Sequence, residues 1–145
     1  MRILGGFLKY RAALHALGLT TGFQWINGSF TEHVEICPRR LRPPNDVDVV
    51  TFYRTPVGTT QAGLVAISPG LFPGTEADHN TLKNKFLVDA YLVSLNASGE
   101  RLVDRSAYWY GVWAHQRDTL KWKGFLQLDL GPAEDARAVA LLPSI

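Results

Sequence analysis

The sequence predicts an α+β (α/β) domain spanning residues 1–145. Three observations carry that expectation. The N-terminal segment has helical periodicity, about four short segments have strand character, and Gly/Pro clusters separate them. The chain has 145 residues, 46% hydrophobic and 19% charged, with 13 Gly and 8 Pro. One hydrophobic core suits that size, and no disulfide scaffold is required.

Ile3, Phe7, Tyr10, Leu14 and Leu17 recur at helical spacing and share one face, with Gly5 and Gly6 weakening the first turn and Gly18 as the stop. Phe23-Gln-Trp-Ile-Asn27 reads as a strand that runs into a Gly28-Ser29 turn. Residues 37–45 hold three prolines and must form a loop. Asp46-Val-Asp-Val-Val-Thr-Phe-Tyr53 is the clearest strand. Its period of two places Asp46, Asp48, Val50 and Phe52 on one face and Val47, Val49, Thr51 and Tyr53 on the other. A helix is expected from 59 to about 67, stopped by Pro69-Gly70, and another from the N-cap Thr75, followed by Glu76 and Asp78. Residues 86–95 form a second strong strand with Asp89 near its middle, and residues 96–100 carry turn chemistry. The aromatic-rich stretch 107–124 has no assignable period. Residues 125–130 alternate as a half-buried strand, and Pro132 opens a short helix to about Leu142.

Composition narrows the function classes. Fifteen basic residues against 13 acidic ones do not mark a dedicated DNA-binding domain, although a local basic patch is compatible with them. The single Cys37 forbids an internal disulfide and any structural zinc site built from several thiolates, which points to a reducing, cytoplasmic setting. Apolar runs fall well short of the roughly 18 residues a membrane span needs. Lys9, Arg11 and His15 interrupt the signal-like N-terminus. The Asn27-Gly-Ser29 and Asn96-Ala-Ser98 triplets read as chance matches to a glycosylation acceptor. His33-Val-Glu35 with Cys37-Pro38 echoes a zinc deaminase but lacks the second cysteine that chemistry requires. Cys37 has no identifiable base beside it, and His79 and His115 have no metal-ligand spacing.

Two carboxylates at i and i+2 on an apolar strand need a compensating charge, because they repel each other and lose hydration. A divalent cation supplies it, and Mg²⁺ is held by one or two carboxylates plus substrate phosphates. Asp46 and Asp48 meet that requirement, and Asp89 on a second strand is the natural third member of a two-metal site. Gly28-Ser29 offers a close backbone approach and a hydroxyl for phosphate.

Ile26-Asn-Gly28-Ser29, then Asp46-Val-Asp48, then Asp89 on a later strand resembles the polymerase-β-type nucleotidyltransferase superfamily. More narrowly, Trp25-Ile-Asn-Gly-Ser-Phe30, the Pro-rich approach to Asp46, Lys85-Phe-Leu-Val-Asp89 and Lys123-Gly124 resemble a family of small, uncharacterised bacterial nucleotidyltransferase-like proteins. The resemblance spans about 25–130. It implies a minimal nucleotidyltransferase-like fold, a small mixed sheet with helices packed on it. It further implies transfer of a nucleoside monophosphate from a nucleoside triphosphate to a hydroxyl on RNA, tRNA or protein, with two Mg²⁺ ions (or Mn²⁺). In that reading Gly28 and Ser29 hold the triphosphate, Asp46 and Asp48 bind metal, and Asp89 binds metal or assists the acceptor. Lys85 and Lys123 stand out as the basic residues for nucleotide charge, although of each pair Lys83/Lys85 and Lys121/Lys123 only one can face the site.

The Pro/Arg loop lengthens the interval between Ser29 and Asp46 relative to the superfamily. No counterpart of the large helical domain follows, so acceptor recognition falls to the aromatic segment or to a partner protein. Small superfamily members suggest a toxin–antitoxin or phage-defence setting. A catalytically inactive nucleotide- or partner-binding module of the same fold is the alternative. Arg39, Arg40 and Arg42 suit either phosphate contact or a solvated loop. Trp109, Tyr110 and Trp113 suit core packing better than base stacking. With Asp46, Asp48 and Asp89 assigned to a site, the remaining balance is 15 basic to 10 acidic residues. A polyanionic partner is therefore compatible with the low net charge if it is met locally.

Overall fold

The structure, a computed structural model, describes residues 2–36 and 42–142. The first helix, α1, spans Arg2–Ala16 and buries Phe7, Tyr10 and Leu14, with Ile3 and Leu17 packed against the same core. Gly6 is required there rather than merely tolerated. A Cβ at this position would lie 2.0 Å from the carbonyl oxygen of Phe86, so the missing side chain lets α1 cross directly over another helix end.

Strand β1 (Gly22–Asn27) follows, then 3₁₀ turns at Ser29–Thr31 and Val34–Ile36. The expected loop at 37–45 lies partly outside the described residues, which removes Cys37, Arg39 and Arg40 from view, while residues 42–46 form no regular element. Strand β2 (Val47–Tyr53) begins one residue after Asp46. Helix α2 (Gln61–Ile67) is capped by Thr60 and gives way to a 3₁₀ turn at Pro69–Leu71. Helix α3 (Glu76–Phe86) starts on a Thr75–Asp78 capping box, in which each side chain satisfies the other residue's backbone N–H.

Strand β3 (Val88–Ser94) is shorter at its start than expected, because Phe86 ends α3 and Leu87 adopts a left-handed conformation, φ 56°. Asp89 is therefore the second residue of the strand, not a central one. A bulky side chain in that region of backbone space is strained. It joins α3 to β3 with no intervening loop.

Helix α4 (Gly99–Trp113) occupies part of the stretch whose period could not be assigned. Strand β4 (Leu126–Asp129) forms where expected, but all four of its residues are exposed rather than half-buried. The last helix, α5, is limited to Asp135–Ala140, starting three residues after Pro132.

The sheet order is β3-β2-β1-β4, with β2–β3 parallel and the other two pairings antiparallel, a small mixed sheet within an α+β fold. The alternation read from residues 46–53 holds. Val47, Val49 and Tyr53 join the core under α1, α2 and α3, while Val50 and Phe52 join a second cluster on the opposite face. Trp109 and Trp113 of α4 close that second cluster. Each buries on the order of 150–250 Å², a gross gain on the order of 4 kcal/mol apiece. They are core residues, whereas Tyr110 is 55% exposed. No helix among the described residues is long and apolar enough to cross a membrane.

Candidate active site

Register builds the site. Asn27 at the end of β1 lies opposite Asp48, and Asp48 lies beside Asp89 in the parallel pair. The three side chains form a row across adjacent strands on the α4 face, where the β1 chain leaves the sheet. Asn27 is fully buried, and its amide donates to the carbonyl oxygens of Trp113 (3.5 Å) and Gly124 (3.2 Å). Its Oδ1 accepts from the Gly28 N–H at 2.7 Å. One side chain thus ties the strand end to α4 and shapes the turn.

Gly28 has φ 81°, a conformation that favours glycine. A Cβ there would fall 1.6 Å from Asp48 Oδ2. The turn and the Asp48 carboxylate therefore occupy one another's space. Ser29 follows on the rim of a cleft of about 540 Å³ that also receives Asp46, Asp48, Asp89 and Lys123.

Charge in this cleft is unevenly matched. Asp48 is held above the usual carboxylate range, first by burial and then by the Asp89 charge, with Arg117 and Lys123 pulling the other way. Tyr91, on the same face of β3, is pushed up to about 12 by burial and by the Asp89 and Asp48 carboxylates. Asp46 is different. Lys83 Nζ lies 2.6 Å from its Oδ2 and 3.8 Å from Asp89 Oδ2, so one ammonium bridges the two acids. Lys123 pairs with Glu32 and reaches the Gly28 carbonyl oxygen at 3.5 Å.

The three aspartates thus share one cleft but do not close into one ligand set. Among the described residues, no group of three or more His, Cys, Asp or Glu side chains is placed to hold a metal ion. Lys83 stands against Asp46 and, at longer range, against Asp89. Asp48 and Asp89 remain as an adjacent pair of like charges. That pair fits a divalent cation that takes two carboxylates and completes its shell with phosphates.

Gly28, Ser29 and Lys123 line the cleft, whereas Lys85 does not. The Lys85 ammonium sits 4.9 Å from the centroid of the Phe86 ring. Lys83 and Lys85 are both on α3, where residues two apart point in different directions, and Lys83 is the one that turns inward.

Two further residues escaped the sequence reading. His79 Nδ1 is 3.5 Å from Asp89 Oδ1, buried and without a hydrogen bond, and its ring packs on Tyr91 at 4.6 Å. Arg117, from the loop after α4, lines the cleft near Asp48. For His79 a signal existed. Once Thr75 is taken as an N-cap, His79 and Lys83 fall at i and i+4 on one face of the same helix.

No curated protein and no solved structure matches the chain. Residues 1–129, which contain the whole cleft, match a family of unknown function, and the chain belongs to that family, DUF6932.

Proposed function

We propose that the chain is a metal-dependent nucleotidyltransferase that moves a nucleoside monophosphate from a nucleoside triphosphate to a hydroxyl acceptor. The observation that carries this reading is the registered row of Gly28 turn, Asp48 and Asp89 at one sheet end, with two acids side by side in a partly buried cleft. Like charges persist in such a place when a ligand's positive charge completes them.

In this reading Asp48 and Asp89 hold Mg²⁺, with Mn²⁺ as substitute, and Asp46 orients Lys83 toward Asp89. When bound, the metal offsets triphosphate charge as in-line displacement proceeds. Gly28 and Ser29 present backbone and hydroxyl to the phosphates, with Lys123 and Arg117 offsetting their charge. Asp89 accepts the acceptor's hydroxyl proton. The acceptor oxygen then bonds to the α-phosphorus, and the bond to the leaving pyrophosphate breaks.

The bridging ammonium of Lys83 favours a second reading, an inactive nucleotide- or partner-binding module of the same fold. A label-transfer assay separates the two. Wild-type chain, α-labelled triphosphates and Mg²⁺ are incubated with RNA, tRNA or protein acceptors. Transfer that disappears on chelation and in Asp48→Asn supports the enzyme. Nucleotide binding that survives chelation, with no transfer, supports the module.

A further inference from the structure

A second cleft, of about 690 Å³, runs along β3 between the α2–α3 region and α4, lined by Thr60, Tyr91, Ser94, Arg101, Arg105 and Trp109 among others. A third, smaller depression contains His79, Lys83, Asp89 and Tyr91. It shares Lys83 and Asp89 with the active-site cleft and His79 and Tyr91 with the second. The second and third depressions form one track that meets the active-site cleft at Asp89.

The far part of this track is cationic. Arg101 and Arg105 are one turn apart on α4 and both face it, and none of its described lining residues is a carboxylate. Among the described residues neither guanidinium has an ion-pair or hydrogen-bond partner. Arg101 also occupies the first turn of α4, where a cation opposes the helix dipole, so helix stability does not explain it. Toward Asp89 the floor becomes aromatic, with the half-buried His79 and Tyr91 rings in contact. Cations that follow a backbone and aromatic faces that accept any base are the two components of single-strand recognition.

We infer that this track seats the acceptor, and that the acceptor is a single-stranded polynucleotide. Its phosphodiester backbone passes Arg101 and Arg105, and its terminal nucleoside packs on Tyr91 and His79 with a ribose hydroxyl at Asp89. The inference rests on the transferase reading for the chemistry at Asp89, but the binding itself needs neither triphosphate nor metal.

The test is fluorescence anisotropy of a short fluorescein-labelled single-stranded RNA of mixed sequence, with no nucleotide or divalent ion present. Wild-type chain is expected to bind it more tightly than the duplex of the same sequence. The Arg101→Ala/Arg105→Ala double variant is expected to lose about tenfold or more in affinity. Its slope of log affinity against log salt should fall by about 1.4, or 0.7 for each of two lost phosphate contacts. Both positions are exposed and alanine favours helix, so circular dichroism should report an unchanged fold. Asp48→Asn is expected to bind the RNA at least as well as wild type.

Absence of single-strand binding, equal binding by the double variant, or preference for the duplex would overturn the inference. Transfer to a protein acceptor that is indifferent to the arginine pair would overturn it too while leaving the transferase reading intact. Arginine-dependent RNA binding without transfer would uphold the track and remove the transferase reading.

Discussion

The two faces of the sheet each carry a polar cluster, one buried and one in a partly open cleft, and the clusters are opposites. Under α1, Arg11 is 3% exposed, and its Nε meets both Asp135 oxygens at 2.9 and 2.8 Å. Its other nitrogens donate to Gln24 Oε1 (2.6 Å) and to the carbonyl oxygens of Leu130 (3.4 Å) and Gly131 (2.9 Å). Gln24 passes the chain on to Thr51 Oγ1 at 2.9 Å. Cation, anion and acceptors are matched, and the cluster fastens α5 and the end of β4 to α1. On the α4 face, Asp48 and Asp89 stand side by side, and Lys83 is drawn closer to Asp46 (2.6 Å) than to Asp89 (3.8 Å). The first cluster is complete without a ligand. The second has cations around it, Lys83 near Asp89 and Arg117 and Lys123 near Asp48, yet Asp48 stays raised, so a further cation would stabilise it, which is the property expected of a site rather than a scaffold.

The comparison is broken most severely by emptying the complete cluster. Arg11→Ala removes the buried guanidinium from Asp135, Gln24 and two carbonyl oxygens, although the Leu130 oxygen keeps His15 at 2.7 Å and Gln24 keeps Thr51. The expected loss is about 3–5 kcal/mol, a fall in Tm on the order of 10 °C. Activity per folded molecule should be retained, because nothing in this cluster touches the cleft. Thermal unfolding and label transfer on the same sample check both halves. An Arg11→Ala chain that is stable but inactive would show the two faces to be coupled.

Asp48→Asn should do the reverse. Transfer is expected to fall at least about 100-fold, as when one preorganised charge-stabilising group is removed. Stability at neutral pH should not fall, because the amide removes a buried like charge. Asp48 is raised in the folded state, so the folded chain binds its proton more tightly than the unfolded chain does. Its contribution is then present below the unfolded pKa and lost as pH rises through the raised folded value. Wild type should therefore gain on Asp48→Asn as pH is lowered through the acid range, the opposite of an ordinary salt-bridged aspartate. Urea midpoints across that range, measured with chelator, test the sign. A lower midpoint for Asp48→Asn at neutral pH would mean that the carboxylate is already compensated.

Gly28→Ala sharpens the same contrast at smaller cost. The positive φ alone is worth about 1–2 kcal/mol for a residue with a Cβ. The new methyl must also displace the Asp48 carboxylate. A double-mutant cycle with Asp48→Ala isolates the second part, with an expected coupling of about 1 kcal/mol. Additive effects would show that the turn and the carboxylate do not share space.

Local chemistry explains which parts of this molecule could be read before it was folded. The faces of β2 follow from a period of two, and the start of α3 follows from the Thr75–Asp78 box, because each signal lies within a few residues. Gly28-Ser29 and Asp46-Val-Asp48 were legible for the same reason. Helix α4 was not, since its buried stripe of Leu102, Trp109 and Trp113 is masked by exposed Val103, Tyr108, Tyr110 and Val112. Leu126 and Leu128 have strand periodicity, but period does not reveal whether a face is covered, and both remain exposed on an edge strand. Lys83 in place of Lys85, and the ion pair it makes with Asp46, depend on how α3 lies beside the start of β3. That is a tertiary fact, fixed by the strained Leu87 corner and the Gly6 crossing.

His79 is the finest test of the open cluster, because it approaches one of its acids without a hydrogen bond. Nδ1 lies 3.5 Å from Asp89 Oδ1, too long for a strong hydrogen bond, and makes no other. A bound acceptor that draws Asp89 slightly toward the imidazole would close that gap, so His79 is read as a positioning residue for Asp89. His79→Ala should lower kcat by about tenfold, worth about 1.4 kcal/mol, and leave KM for the triphosphate unchanged. A structural role would instead lower Tm and shift both constants. Asparagine places an amide nitrogen where Nδ1 stands and glutamine places one where Nε2 stands. His79→Asn should therefore recover more of kcat than His79→Gln. Equal recovery, or none, would mean that His79 acts only through its ring face, against Tyr91 and the acceptor nucleoside, and that Asp89 needs no partner of its own.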